Sequence, residues 1–295
     1  MLNFMRDTFD EWLCCLAQSY GAEFRDGCSF KDFEELDDGV IIHLEMNEGA
    51  EDIRAKYVVD ATGMRPAIRR KLRKSDGFQN GSTGAALNYY FIANGNLESD
   101  KLYQFWNIEY NNMMFAWIYN KMLSDGNDYW VIGTGYDRDI YQRLDNFFDH
   151  IKEFYHLRNV KIVKKEGYSS SMSFTDEERI WLGERNFLMV GDAAGLIDLT
   201  RGVGMDAAAL SGRLAAKAIG LFQTSGKPAI EVYSQLMKKL VGQTRKNQRR
   251  GILSFKTNEE LQAFLDKNML KMGVNMFVQS LFNRVRSGES QVMLP

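Results

Sequence analysis

Apolar side chains recur at helical spacing over residues 7–20, where Phe9, Trp12, Leu13, Leu16 and Tyr20 share one stripe, so the stretch predicts an amphipathic helix ending near Gly21. The period then changes to two. Val40, Ile42, Leu44 and Met46 alternate with Ile41, His43 and Glu45 between Asp37-Asp38-Gly39 and Asn47-Glu48-Gly49, the pattern of strands joined by tight turns. His43 in that alternation reads as a solvent-facing polar residue. A further strand over 55–59 runs into Asp60-Ala61-Thr62-Gly63. From about residue 85 to 166, strand-like runs at 87–93, 113–119 and 129–135, punctuated by Asn94-Gly95 and Asp125-Gly126, predict an antiparallel sheet with a helix around 145–155. Residues 187–190 read as a short buried strand and 204–222 as an alanine-rich helix. Beyond Pro228 the pattern is helical to about residue 285. No internal repeat supports a solenoid.

Composition narrows the field by exclusion. The chain of 295 residues is 45% hydrophobic and 26% charged, an ordinary globular balance with enough apolar material for one large domain or two intimate ones. With 37 basic against 39 acidic residues, no global field favours nucleic acid. The three cysteines, Cys14, Cys15 and Cys28, have neither metal-ligand spacing nor an even count, which fits a reducing, cytoplasmic setting. No apolar run approaches the roughly 20 residues that span a bilayer, and the first residues lack the order of a signal peptide. His43, His150 and His156 are scattered, so metalloenzyme and triad-hydrolase readings start at a disadvantage.

The stretch with most chemistry runs from Phe187 to Asp206. A strand delivers Gly191-Asp192-Ala193-Ala194-Gly195, a short loop follows, and Gly202-Val203-Gly204-Met205 opens the alanine-rich helix. An acid at a strand end can accept from a sugar-like hydroxyl. Glycines let backbone amides approach a ligand, and a helix start offers free donors and the positive end of a dipole. Glycines that only permit tight turns would explain two such positions equally well. The pattern as a whole, however, resembles the flavin-side motif of the geranylgeranyl reductase-like branch of the aromatic-hydroxylase flavoprotein superfamily. The resemblance implies that Gly191, Asp192 and Ala193 lie on the ribityl and pyrophosphate side of FAD, and that Gly202, Val203, Gly204 and Met205 supply backbone near the flavin pyrimidine edge. Leu199 stands where that family usually has proline.

Three weaker resemblances accompany it. Tyr57-Val-Val-Asp60-Ala61-Thr62-Gly63 looks like the segment these flavoproteins place beside the FAD pyrophosphate, implying Asp60 and Gly63 as cofactor-side residues; a strand end with a turn is the plain alternative. Arg6, opening the first helix, is similar to the family's cofactor-side arginine, against the alternative of an exposed arginine near a terminus. Phe115-Ala116-Trp117-Ile118-Tyr119 resembles the family's substrate-pocket strand, with Phe115, Trp117 and Tyr119 as an aromatic wall on one face. A sheet face packed on core would explain it equally well.

The expected fold is therefore mixed α/β. An incomplete Rossmann-like FAD domain comprises residues 1–80 and 167–225, an antiparallel-sheet substrate domain 81–166, and a helical region 226–295. No Gly-x-Gly-x-x-Gly turn with its strand and helix precedes Phe9. A fragment, a truncated gene product, or one chain of a split enzyme whose partner chain supplies the dinucleotide-binding segment would each account for this. The implied function is an FAD-dependent oxidoreductase that uses NAD(P)H or another donor and reduces carbon–carbon double bonds of an isoprenoid-like or other small apolar substrate. The alternatives are a flavin monooxygenase or halogenase, and a remnant or interaction subunit that does not hold flavin alone. Lys238, Lys239, Arg245, Lys246, Arg249 and Arg250 form a basic stretch that is either a solvated helix face or a peripheral contact with anionic lipid.

Overall fold

A computed structural model describes residues 5–47, 49–73, 83–111, 115–136, 139–171, 179–197, 204–250, 255–268 and 273–274. Helix α1 (Arg6–Ser19) leads into a meander of three antiparallel strands, β1 (Ser29–Leu36), β2 (Gly39–Met46) and β3 (Gly49–Ala55). The turn after β3 breaks the strand expected over 55–59. Ala55 closes the meander, and only Val58–Asp60 form the next strand, β4, which belongs to a different sheet. His43 on β2 faces Asp52 on β3, with Nδ1 2.7 Å from Oδ1.

Helix α2 (Ala67–Leu72) precedes the antiparallel sheet, whose strands β5 (Thr83–Asn94), β6 (Leu102–Phe105), β7 (Ala116–Met122), β8 (Asp128–Tyr136) and β9 (Arg158–Ser171) lie in the order β6-β7-β8-β5-β9. Helix α3 (Ile140–Phe154) packs across one face. Period two decides what it covers. Leu87, Tyr89 and Phe91 of β5, Ala116 and Ile118 of β7 and Ile132 of β8 are buried against Leu144, Phe147, Phe148 and Ile151 of α3. The intervening residues therefore point to the other face of the sheet.

The chain then returns to the first part of the fold. Strands β10 (Gly183–Glu184) and β11 (Phe187–Met189) complete a small sheet in the order β10-β11-β4, in which β11 runs parallel to β4 with Met189 opposite Asp60. All three β11 side chains are buried, as expected of a strand covered on both faces. A single 3-10 turn (Gly191–Ala194) leads towards α4 (Met205–Ser225), and α5 (Ala229–Arg250) packs on α4 and over β11. The Tyr233 hydroxyl of α5 donates to the Met189 carbonyl at 2.9 Å, fixing that helix to the central strand. Of the helical tail expected to residue 285, the described part holds α5 and a further helical stretch over 258–268. Among the described residues no helix is long and apolar enough to cross a membrane.

Candidate cofactor and substrate site

Because β4 and β11 are parallel neighbours, the loops that follow them emerge side by side at the carboxyl end of the sheet, the place where open α/β sheets receive ligands. The Val190 amide donates to the Asp60 carbonyl at 3.1 Å and locks the two loops together. Asp60 is 2% exposed, and its carboxylate is engaged within its own loop. Oδ1 accepts from the Thr62 amide at 2.9 Å and the Thr62 hydroxyl at 2.6 Å, while Oδ2 accepts from the Ile68 amide at 2.9 Å, at the start of α2. Asp60 thus shapes the loop that carries Gly63, which lies in the left-handed region at φ 76°.

The turn after β11 is built tightly against α4. Gly191 has φ 54°, and a Cβ there would sit 3.0 Å from that of Ala208. Its amide donates to the Ser211 hydroxyl at 2.9 Å, so one helix turn of α4 fastens the strand end. Ala193 is fully buried. Asp192 faces the amino end of α4 instead. A Cβ at Gly204 would lie 2.8 Å from Asp192 Oδ1, so glycine is what lets the backbone come beside the carboxylate. Burial pushes the Asp192 carboxyl above its ordinary range, and the nearby Arg179 guanidinium opposes the shift. Arg179 itself is 3% exposed; burial lowers it to about 10, with Asp192 acting against that. The Arg179 carbonyl accepts from Arg69 Nη1 at 2.7 Å, which ties α2 to the same corner. Gln248 of α5 donates to the carbonyls of Gly195 and Ile197, at 3.0 and 3.1 Å, and supports the loop from behind. Gly202 and Val203, with Leu199, lie outside the described residues.

Arg6 reaches the same place from α1. Its guanidinium pairs with Asp10 at 2.8 Å and lies 3.4 Å from Met205 Sδ, at the first residue of α4. It is also within electrostatic reach of Tyr168 on β9. Arg6 thus lies between the start of α4 and the face of the antiparallel sheet opposite α3. That face carries the row Trp117, Gly133, Asn88 and Glu166, and beside it the row Tyr119, Val131, Tyr90 and Lys164, as the strand register requires. The indole of Trp117 lies over Gly133 and donates to Asn88 Oδ1 at 2.9 Å. Phe115, just before β7, meets Trp117 edge to face at 6.4 Å and Trp106 at 5.6 Å. Trp117 and Tyr119 are thus a wall on the face away from α3. At the end of β7 an open groove of about 550 Å³ runs between Met5, Phe9 and Trp12 of the α1 region and Met122.

Sequence reasoning did not single out Arg179, Asn88, Tyr90, Glu166 or Tyr168. The signal for the last four was the two-residue period. Once Trp117 is placed on a face, register assigns its partners across the strands. Arg179 belonged to no periodic pattern and carried no such signal.

Residues at this corner fit a dinucleotide flavin by two observations. One is the glycine at Gly204, which brings backbone beside the Asp192 carboxylate, and the other is that half-buried carboxylate standing at a helix amino end. No family model matches the chain, and no curated protein does. Solved structures do. A geranylgeranyl bacteriochlorophyll reductase-like protein from Thermoplasma acidophilum superposes with a TM-score of 0.71 at 22% identity, over 88% of this chain and 66% of that one. CmlS, a flavin-dependent halogenase, gives 0.60 at 20% identity over 82% and 44%. Aklavinone-11 hydroxylase, solved with FAD and aklavinone, gives 0.59 at 18% over 84% and 48%. The chain has the fold these three structures share and spans between 44% and 66% of their lengths.

Proposed function

We propose that the chain is the flavin-side and substrate-side part of an FAD-dependent oxidoreductase that reduces carbon–carbon double bonds of an isoprenoid-like or other apolar substrate. The observation that carries the reading is Asp192 set against Gly204 at the amino end of α4, with Arg6 beside Met205 there, in a fold also found in a geranylgeranyl reductase-like protein, a flavin-dependent halogenase and a hydroxylase solved with FAD. FAD, once reduced by NAD(P)H or another donor, supplies the hydride chemistry. Asp192 would accept from a hydroxyl of the cofactor chain, and the amides opening α4 would favour negative charge at their end of the dipole. Arg6 adds a cation at the same end, partly balanced by Asp10. Trp117 and Tyr119, with the open groove beside Phe9, Trp12 and Met122, give an apolar substrate a surface to lie on.

The likeness to a halogenase and a hydroxylase supports a second reading in which the same site serves oxygen chemistry. Substrate-dependent oxygen consumption separates the two, since alkene reduction consumes none. Two further elements belong to the proposal: a second chain that completes the dinucleotide-binding domain, and a peripheral lipid contact through the exposed Lys238, Lys239, Arg245 and Lys246 of α5.

The test is the visible spectrum of protein incubated with FAD and freed of excess cofactor, taken for this chain and for a form carrying any upstream coding sequence. Retained flavin in either supports the proposal, and its absence from both refutes it. Asp192→Ala and Gly204→Val are each expected to lower flavin retention by about tenfold or more. Gly212→Ala, on the same helix with no atom near its added methyl, leaves it unchanged.

A further inference from the structure

The open face of the antiparallel sheet ends in a carboxylate. Glu166 of β9 lies across from Asn88, and its Oε2 accepts from the Tyr90 hydroxyl at 2.6 Å. Oε1 accepts from Lys164 Nζ at 3.2 Å, and Tyr168, two residues along β9, lies on the same face and adds to the electrostatic hold on the carboxylate. Tyr90 is 2% exposed, whereas Tyr168 is 53% exposed and within electrostatic reach of Arg6. Tyr119 stands next to this cluster on the same face.

We infer that Glu166, held by Tyr90, Lys164 and Tyr168, is a specificity-determining acceptor that takes the hydroxyl end of an otherwise apolar substrate. The inference rests on the reading of this sheet face as the substrate side of the site. An ionised carboxylate offers about four lone-pair positions, and Tyr90 and Lys164 take two of them, which leaves room for a further donor. Burial pushes Glu166 upward, yet its interactions with Tyr168, Tyr90 and Lys164 outweigh it and hold the carboxyl below its ordinary range, so the acceptor is charged at neutral pH. Burial, then the carboxylate, pushes both tyrosines upward, so they keep their protons. Lys164 pairs with Glu166 and Asp10 with Arg6, so each of these charges already has a partner of opposite sign. A neutral hydroxyl is the group that this arrangement favours. A site that bonds a hydroxyl discriminates against the same molecule without it, because the covered acceptor position is then left without a donor.

The test uses geraniol and its methyl ether, which share an apolar body and differ in one donor, titrated calorimetrically into the full chain in the presence of FAD. The wild type is expected to bind the alcohol about tenfold or more tightly than the ether. Glu166→Gln, which keeps the shape and removes the charge, should bring the two within about threefold while leaving the ether's affinity unchanged; Tyr168→Phe should fall between. Equal affinities in the wild type, binding of neither ligand, or an undiminished preference in Glu166→Gln overturns the inference. Flavin absorbance is recorded on the same samples. Flavin absent from this chain and from the form with upstream sequence, while alcohol and ether are still separated, refutes the flavin proposal alone, and a sample with flavin that does not separate them refutes the acceptor alone.

Discussion

Gly133 is the seat of the Trp117 indole, and replacing it by alanine is the sharpest test of how the aromatic wall is held. A methyl at 133 would lie 2.5 Å from Trp117 Cε2 and closer still to Trp117 Nε1 and Asn88 Oδ1. That is roughly 1 Å inside ordinary carbon contact, so the indole must lift away and its bond to Asn88 is lost. Overpacking of this kind costs about 1–3 kcal/mol, and the lost hydrogen bond about 1 kcal/mol more. Gly133→Ala is therefore expected to destabilise the protein by about 3 kcal/mol, read as a lower midpoint in urea unfolding followed by circular dichroism. The decisive control is the same change in a Trp117→Ala background. There the methyl meets no indole, and Asn88, released from its donor, can turn aside, so the cost should fall to about 1 kcal/mol. Equal costs in the two backgrounds would show that the indole does not rest on Gly133, and the reasoning about the wall would fail with it.

Asp60→Ala removes an acceptor of three hydrogen bonds and leaves the Ile68 amide without a partner; a loss of about 3 kcal/mol is expected, a fall in melting temperature of roughly 5–10 °C by scanning calorimetry. Asp60→Asn should cost less, because one oxygen remains; equal losses would contradict the assignment. The Asp52 side chain raises His43 above its ordinary value, so by linkage their pairing stabilises fully below about pH 6.5 and is lost as pH rises through the raised folded value. An NMR titration should return His43 to about 6.5 in Asp52→Asn, and an unmoved midpoint would contradict the pairing.

Legibility in the sequence followed the strength of local pattern. The helical spacing in α1, the alternation in β2 and the apolar run into β11 were each readable from period and residue type, although Trp12, Leu13 and Tyr20 of the first stripe are exposed. Strand β9 was not. Its Lys161, Lys164, Lys165 and Glu166 look like solvated polarity until pairing with β5 places Glu166 beside Tyr90. The motif around Asp192 was legible as a strand, an acid and a helix start, but its contact with Gly204 depends on how α4 docks. Asp60 shows the opposite limit: a residue read for a cofactor contact has its carboxylate taken up by its own loop, a decision made by Thr62 and Ile68 and invisible in residue type alone.

Pairing of β4 with β11 has a kinetic consequence. The whole antiparallel sheet and α3 lie in sequence between these two strands, so their union closes a long loop, at an entropic cost that grows with its length. A folded insert shortens that loop to the distance between its own two ends. Refolding is then expected in two stages, the insert first and the corner holding Asp60 and Asp192 afterwards. Damage to the insert's hydrophobic core would consequently delay assembly of a corner that it does not itself line.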